Sequence, residues 1–155
     1  MFRSLLVSLL LLASLGCGDD TPTASGDPAQ TTYAPALGVD LTAMERRDSG
    51  LYLQDLVVGT GDTATLGRQV TVDYTGWLPN GTQFDSSKSA GRMPFSFTPG
   101  QGRVIDGWEE GIPGMKVGGR RKLVIPSSMA YGEAGRGSIP PNSVLVFDVE
   151  LLSIP

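Results

Sequence analysis

The stretch Val104–Gly111, VIDGWEEG, holds one of only two tryptophans in a chain of 155 residues. It is flanked by glycines and acids, and it is too brief and too polar to be an ordinary core helix. An indole placed there is either plain core or the lining of a site. Much other chemistry is excluded. The chain has no histidine, which removes His-based catalytic triads and His-ligated metal sites. Its single cysteine, Cys17, allows no intrachain disulfide, and it lies in an apolar leader where a thiol nucleophile is out of place. On a 3.6-residue period Ile105, Trp108 and Ile112 share one face. Asp106, Glu109 and Glu110 fall in the first turns, where they complement the positive end of the helix dipole.

Such a short helix needs a sheet to lie on. Gly at 21 and Pro at 11 make up about a fifth of the chain, which points to many turns and short strands. Val70, Val72 and Tyr74 alternate with Thr71, Asp73 and Thr75, the mark of a half-buried strand. A similar pattern begins at Leu51. Pro79-Asn80-Gly81 predicts a turn, with Thr82–Asp85 pairing back as a hairpin. Phe95 and Phe97 mark another strand, and Arg121–Ile125 a further one with Leu123 and Ile125 inward. In Val144–Leu152 the residues Leu145, Phe147, Val149 and Leu151 face one way, and Asp148 and Glu150 the other, as a solvated face. The expected class is α+β: a five- or six-stranded antiparallel, curved sheet wrapped around one short helix. One face of the sheet is expected wet, and Ile105–Ile112 is the only helix candidate to cover the other. A small helix against a curved sheet leaves a gap near its end, and the indole can floor it. The net charge of −4 and pI near 4.7 argue against a nucleic-acid partner.

Ahead of this domain, residues 1–17 read MFRSLLVSLLLLASLGC. A basic Arg3, an apolar run too short for a ~30 Å hydrocarbon core, and a small residue before Cys17 have the proportions of a signal peptide. The junction resembles a bacterial lipobox. That resemblance implies cleavage after residue 16, acylation of Cys17, and an exported protein anchored to a membrane facing the periplasm or cell exterior. A plain secretory signal is the alternative. Ser14 stands where the lipobox usually has Leu, and Gly18 lacks the simplest inner-membrane retention signal. Residues 17–47 are rich in Thr, Ala, Pro, Gly and Asp without apolar period, and are expected to be a disordered tether, with a short element around Leu37–Met44 left open. About 28 such residues reach roughly 30 Å. The folded domain is expected over 48–155.

The stretches VTVDYTGWLPNGTQFDSS, GRVIDGWEEGIPGMKVGGRRKLVIP, AYGEAG and IPPNSVLVFDVELL occur in one order across residues 50–154. Together they resemble the FKBP-type peptidyl-prolyl cis-trans isomerases. The resemblance implies an FKBP-like fold and an enzyme that turns X–Pro bonds without cofactor or metal. It also implies that Trp108 floors the substrate pocket rather than filling the core. Tyr74, Phe84, Asp85 and Tyr131 are then the residues expected to act in catalysis. Phe95, Val104, Ile105, Trp108, Ile139 and Phe147 are expected to bind substrate, with the Ile105 N–H and the Tyr131 hydroxyl each taking a substrate carbonyl. Asp85 would meet the rotating carbonyl or organise Tyr74; bracing the hairpin is its plainer role. Phe97, Leu123 and Leu151 are read as core.

Proline-containing polypeptides are the implied partners, with macrolides such as tacrolimus and rapamycin as inhibitors, and a monomer is expected. A proline-binding chaperone module without turnover is the rival reading. The sequence departs from the family pattern at the rim of the expected pocket. SSKSAGRMP is one residue longer than in the small archetypal member, and Gly132–Ile139 one shorter. Arg136 stands near a frequent His and Ser138 near a frequently apolar position, so substrate preference and macrolide affinity are open. An Arg near this position in the family implies that Arg92 braces Asp85.

Overall fold

A computed structural model describes residues 25–155. The signal-peptide and Cys17 readings lie outside these residues. Seven strands form one antiparallel sheet: β1 Glu45–Arg46, β2 Tyr52–Val57, β3 Val70–Trp77, β4 Gln83–Ser86, β5 Phe95–Phe97, β6 Arg120–Ile125 and β7 Leu145–Ser153. Their spatial order is β1-β2-β6-β7-β3-β4, with β5 also paired to β3. One α-helix, α1, runs Asp106–Gly111, inside the span expected for it. No helix among the described residues is long and apolar enough to cross a membrane.

The alternation in the strands fixes which side chains meet α1. Val70, Val72 and Tyr74 of β3 and Leu145, Phe147, Val149 and Leu151 of β7 are all buried on the helix side. Leu123 and Ile125 of β6 and Phe97 of β5 join them in the same core. The helix sits close to β6 because two glycines one turn apart face that strand. A methyl group on Gly107 would lie 2.5 Å from Ile125 Cγ2, and one on Gly111 2.8 Å from Leu123 Cδ2. At the other end Arg121, buried on β6, donates to the Gly111 carbonyl at 2.9 Å while its Nε and Nη2 grip Asp55 at 2.7 and 3.0 Å. A cation at the C-terminal carbonyls of a helix complements its dipole. Glu109 turns back to accept from the Gly100 N–H, tying down the turn before the helix. Six residues cannot hold a helix alone; this one is held by its surroundings.

The other face of the sheet corrects two expectations. Residues 25–47 are not a disordered tether over the part described. They form three single-turn 3-10 helices, Pro28–Gln30, Pro35–Leu37 and Leu41–Ala43, followed by β1. Strand β1 pairs with β2 and is the strand beyond the expected five or six. The segment runs as a strap over Tyr52, Val124, Val144 and Val146, burying Leu37 and Met44 against them. That face is therefore covered for much of its area rather than wet. The physical reason is that Val124 and Val146, pointing away from α1, would otherwise leave apolar side chains in water. Local polar caps let an irregular chain lie there: Asp27 accepts from the Ala29 N–H and Asp40 from the Thr42 N–H. Two longer-range bonds fasten it, the Ala34 N–H to the Pro79 carbonyl and Lys122 Nζ to the Leu37 carbonyl, both at 2.8 Å.

Candidate functional site

Where α1 meets the curved sheet, a cavity of about 330 Å³ stays open. Trp108 is its floor, only 4% exposed yet in its wall. The indole is wedged edge-on among rings, with centroids 5.0 Å from Tyr74, 5.4 Å from Phe147 and 6.1 Å from Phe95. Its Nε1 is buried with no acceptor among the described residues, so packing alone holds the ring. Phe84 on β4 stands perpendicular to Phe147 at 5.5 Å and completes one wall. That contact depends on Gly76, where a Cβ would lie 2.6 Å from both rings. Val104, Ile105 and Tyr131 line the rest of the apolar surface.

Polar groups sit at one side. Asp85 Oδ2 accepts from the Tyr74 hydroxyl at 2.6 Å, and its Oδ1 meets Arg92 Nη2 at 3.2 Å and the Ser86 N–H at 2.9 Å. Arg92 Nη2 also reaches the Tyr74 oxygen at 3.3 Å. Both carboxylate oxygens are thus engaged, and Asp85 organises the tyrosine while closing the hairpin. Burial, reinforced by the Asp85 carboxylate and opposed by Arg92, pushes the Tyr74 hydroxyl up to about 12. It is a neutral donor over the whole physiological range. Two other donors are free. Neither the Ile105 N–H nor the Tyr131 hydroxyl has a hydrogen-bond partner among the described residues, and both residues line the cavity. The Ile105 N–H is free because it lies in extended backbone just before the first turn of α1.

Nine of the ten residues singled out from the sequence come together in this wall. Ile139 does not. It is 8% exposed within the main core, because a tight turn bonds it to Arg136 in both directions at 2.9 Å and sends its side chain inward. Two residues were missed. Arg103 lines the cavity beside Val104; its place in GRVIDGW was visible, but nothing in the pattern said that its head would reach the opening. Gly76 was visible only as a letter of the quoted motif VTVDYTGW, with no role attached.

A family model described as FKBP-type peptidyl-prolyl cis-trans isomerase matches residues 61–152. The chain belongs to this family. The FK506-binding protein of Neisseria meningitidis serogroup B is 55% identical over 106 residues, covering 68% of this chain and 96% of that one. FK506-binding protein 4 of Dictyostelium discoideum is 53% identical over 106 residues, but those are only 28% of its length. Among solved structures, FkpA from Escherichia coli superimposes with a TM-score of 0.66 at 45% identity, over 72% of this chain and 51% of that one. AtFKBP13 does so with 0.67 at 42% identity, over 72% and 98%. Every residue of the FKBP-type cavity lies within the matched span, whereas the strap and β1 lie before it.

Proposed function

We propose that this protein accelerates cis-trans rotation of X–Pro bonds in exported polypeptides and so assists their folding. The observation that carries the reading is the open, ring-lined cavity over Trp108 with two unpaired donors, the Ile105 N–H and the Tyr131 hydroxyl, in its wall. Its volume suits a prolyl ring and part of a neighbour, at the small end of ligand pockets. The planar X–Pro amide resists rotation by about 18–20 kcal/mol because resonance gives C–N double-bond character. Rotation breaks no σ bond and calls for no nucleophile, base or metal. In the twisted state the resonance is lost and the amide dipole shrinks, so water stabilises the planar forms more. A dry wall of Trp108, Phe95, Phe147 and Phe84 removes that advantage. Each ~1.36 kcal/mol of such preference is tenfold in rate. The free donors hold the carbonyls on either side of the turning bond, and Asp85 with Arg92 keeps the Tyr74 hydroxyl in place.

The relatives named as FK506-binding support a further element of the proposal, that tacrolimus and related macrolides compete for this cavity. The leader supports another, that Cys17 carries a lipid anchor and the domain works at a membrane facing the periplasm or cell exterior. Radiolabelled fatty acid should enter the wild-type chain and not Cys17→Ala.

A protease-free isomerisation assay on the full chain tests the central reading. Trp108→Ala should weaken peptide binding most, and Asp85→Val should lower turnover modestly. A chain that shifts the cis:trans ratio without speeding exchange is a binder, not an isomerase. Unchanged rates in Phe84→Ala, Asp85→Val and Trp108→Ala together would remove the cavity from the mechanism.

A further inference from the structure

The mouth of the cavity is more basic than the chain as a whole. The chain carries a net charge of −4, yet Arg92 and Arg103 both line the cavity and Arg136 places its guanidinium 5.6 Å from the ring centre of Tyr131, another lining residue. The three come from separate segments: the loop before β5, the turn before α1, and the loop between β6 and β7. One carboxylate, Asp85, shares the lining, and it is consumed by Arg92, Tyr74 and the Ser86 N–H. Arg92 is neutralised in the same contact. Arg103 is different. Among the described residues it has neither an ion pair nor a hydrogen bond. The nearby acids leave it so: Glu109 is turned to the Gly100 N–H, Asp106 and Glu133 are exposed, and none of the three pairs with Arg103 or Arg136.

We propose that Arg103 selects X–Pro segments that carry an acidic side chain beside the prolyl bond, so that acidic proline-containing segments are the preferred substrate class. This rests on the isomerase reading of the same cavity. Arg103 lies two residues before Ile105, across the bend at Val104, and all three line the same cavity. A substrate whose carbonyl is held by the Ile105 N–H therefore presents its next side chain within reach of the guanidinium. An arginine head can take a carboxylate with two parallel N–H bonds. Arg136 adds charge of the same sign at the rim, and a lysine beside the proline meets repulsion from both. Opposed local and overall charge sharpens the selection, because the chain as a whole is acidic while the mouth is basic.

The test uses the full chain and a set of short peptides identical except for Glu, Gln or Lys placed immediately before or after the proline. The ratio of kcat/KM for the Glu peptide over the Lys peptide is measured by a protease-free exchange assay at low and at high ionic strength. At one of the two positions the wild-type ratio is expected to be about three- to tenfold at low salt, the range of an exposed to half-desolvated charge contact. It should shrink as salt rises. Arg103→Gln should bring the ratio toward one, and Arg103→Glu should reverse it; circular dichroism checks that both fold. A wild-type ratio near one at both positions, or a ratio untouched in Arg103→Glu, overturns the proposal. If the Gln peptide shows no catalysed exchange at all, the isomerase reading has failed instead. The affinities of the same peptides, followed by tryptophan fluorescence, then supply the Glu over Lys ratio, with the same expectations for both variants.

Discussion

The sheet closes its two faces in different ways. On the α1 side the packing is dense around Leu123, Val149 and Leu151 and then stops, leaving an open space floored by Trp108. On the far side the strap lies over Val124 and Val146 and seals them, both at 0% exposure. The first face keeps unpaired donors beside the opening; the second ties a cation, Lys122, to Asp148 at 2.7 Å and to the Leu37 carbonyl at 2.8 Å. The difference teaches where stability and function are lodged. An open ring-lined cavity exposes apolar surface that a closed core would bury. The strap restores apolar burial on the side where no substrate has to enter.

The largest effect should come from removing the strap. A chain lacking residues 25–47 uncovers Tyr52, Val124, Val144 and Val146 and loses the burial of Leu37 and Met44. At about 1.5–3 kcal/mol per fully buried apolar side chain, reduced by the entropy the freed segment regains, the loss is on the order of 5 kcal/mol. Thermal unfolding should fall by more than about 10 °C. The isomerisation rate per folded molecule should hold, since no strap residue lines the cavity. An unfolding temperature within two or so degrees of the full chain would show that the strap adds nothing to stability and that the two faces do not divide the work.

Gly76→Ala attacks the other face. The added methyl must displace Phe84 or Phe147, each 2.6 Å from it. Phe84 is only half-buried and should yield first, opening the wall. Overpacking of this kind costs about 1–3 kcal/mol, and kcat/KM should drop roughly tenfold, a barrier change of about 1.4 kcal/mol. A variant with normal turnover would mean that the Phe84–Phe147 contact is dispensable for the chemistry.

Lys122→Met strikes the fastening between sheet and strap, with a cost in stability similar to that of Gly76→Ala and none in turnover, since Lys122 does not line the cavity. It removes the bond to Leu37 and leaves Asp148, largely covered, without its partner. A loss of about 1–3 kcal/mol is expected by urea titration. Adding Asp148→Leu should recover much of it, because an apolar pair leaves no buried charge unpaired. If the double variant is as unstable as the sum of the two singles, Lys122 and Asp148 do not act as a unit.

The two faces also differed in how much the sequence disclosed. The α1 side was legible because its signals are periodic: Val70-Val72-Tyr74 and Leu145-Phe147-Val149-Leu151 alternate cleanly, and the quoted motifs place Tyr74, Asp85 and Trp108 together. The strap was not, because 3-10 turns have no run long enough to show a period, and Leu37 and Met44 are isolated anchors in polar chain. The signal was on the opposite partner. Leu123-Val124-Ile125 and Leu145-Val146-Phe147 are apolar on both sides of the strand, which marks a sheet buried on both faces. Asp27 and Asp40, each capping a turn, were local cues of the same order. Ile139 is absent from the cavity wall for another reason: turn geometry, not residue type, decides which way a loop side chain points.

The finest test of the site concerns Tyr74, where the wall meets its polar brace. Burial first, and then the carboxylate that accepts its hydrogen bond, hold its hydroxyl up to about 12 against an ordinary 10.0. A raised folded-state value means that this group stabilises the fold fully below pH 10 and gives up that contribution as pH climbs toward about 12, where the folded form also ionises. Ultraviolet titration should therefore show Tyr74 ionising late, ahead of Tyr33, whose hydroxyl burial holds higher still, and Tyr74→Phe should remove the step near 12 while leaving the later one. Asp85→Asn removes both the acceptor charge and its repulsion of a phenolate, so the Tyr74 step should move down toward the ordinary value without reaching it, because burial remains. Arg92→Gln should move it the other way, since the guanidinium favours the phenolate. Opposite shifts in these two variants would show that Asp85 and Arg92 act on the tyrosine directly. Equal shifts, or none, would mean that the hydroxyl feels only its burial and that the carboxylate braces the hairpin alone.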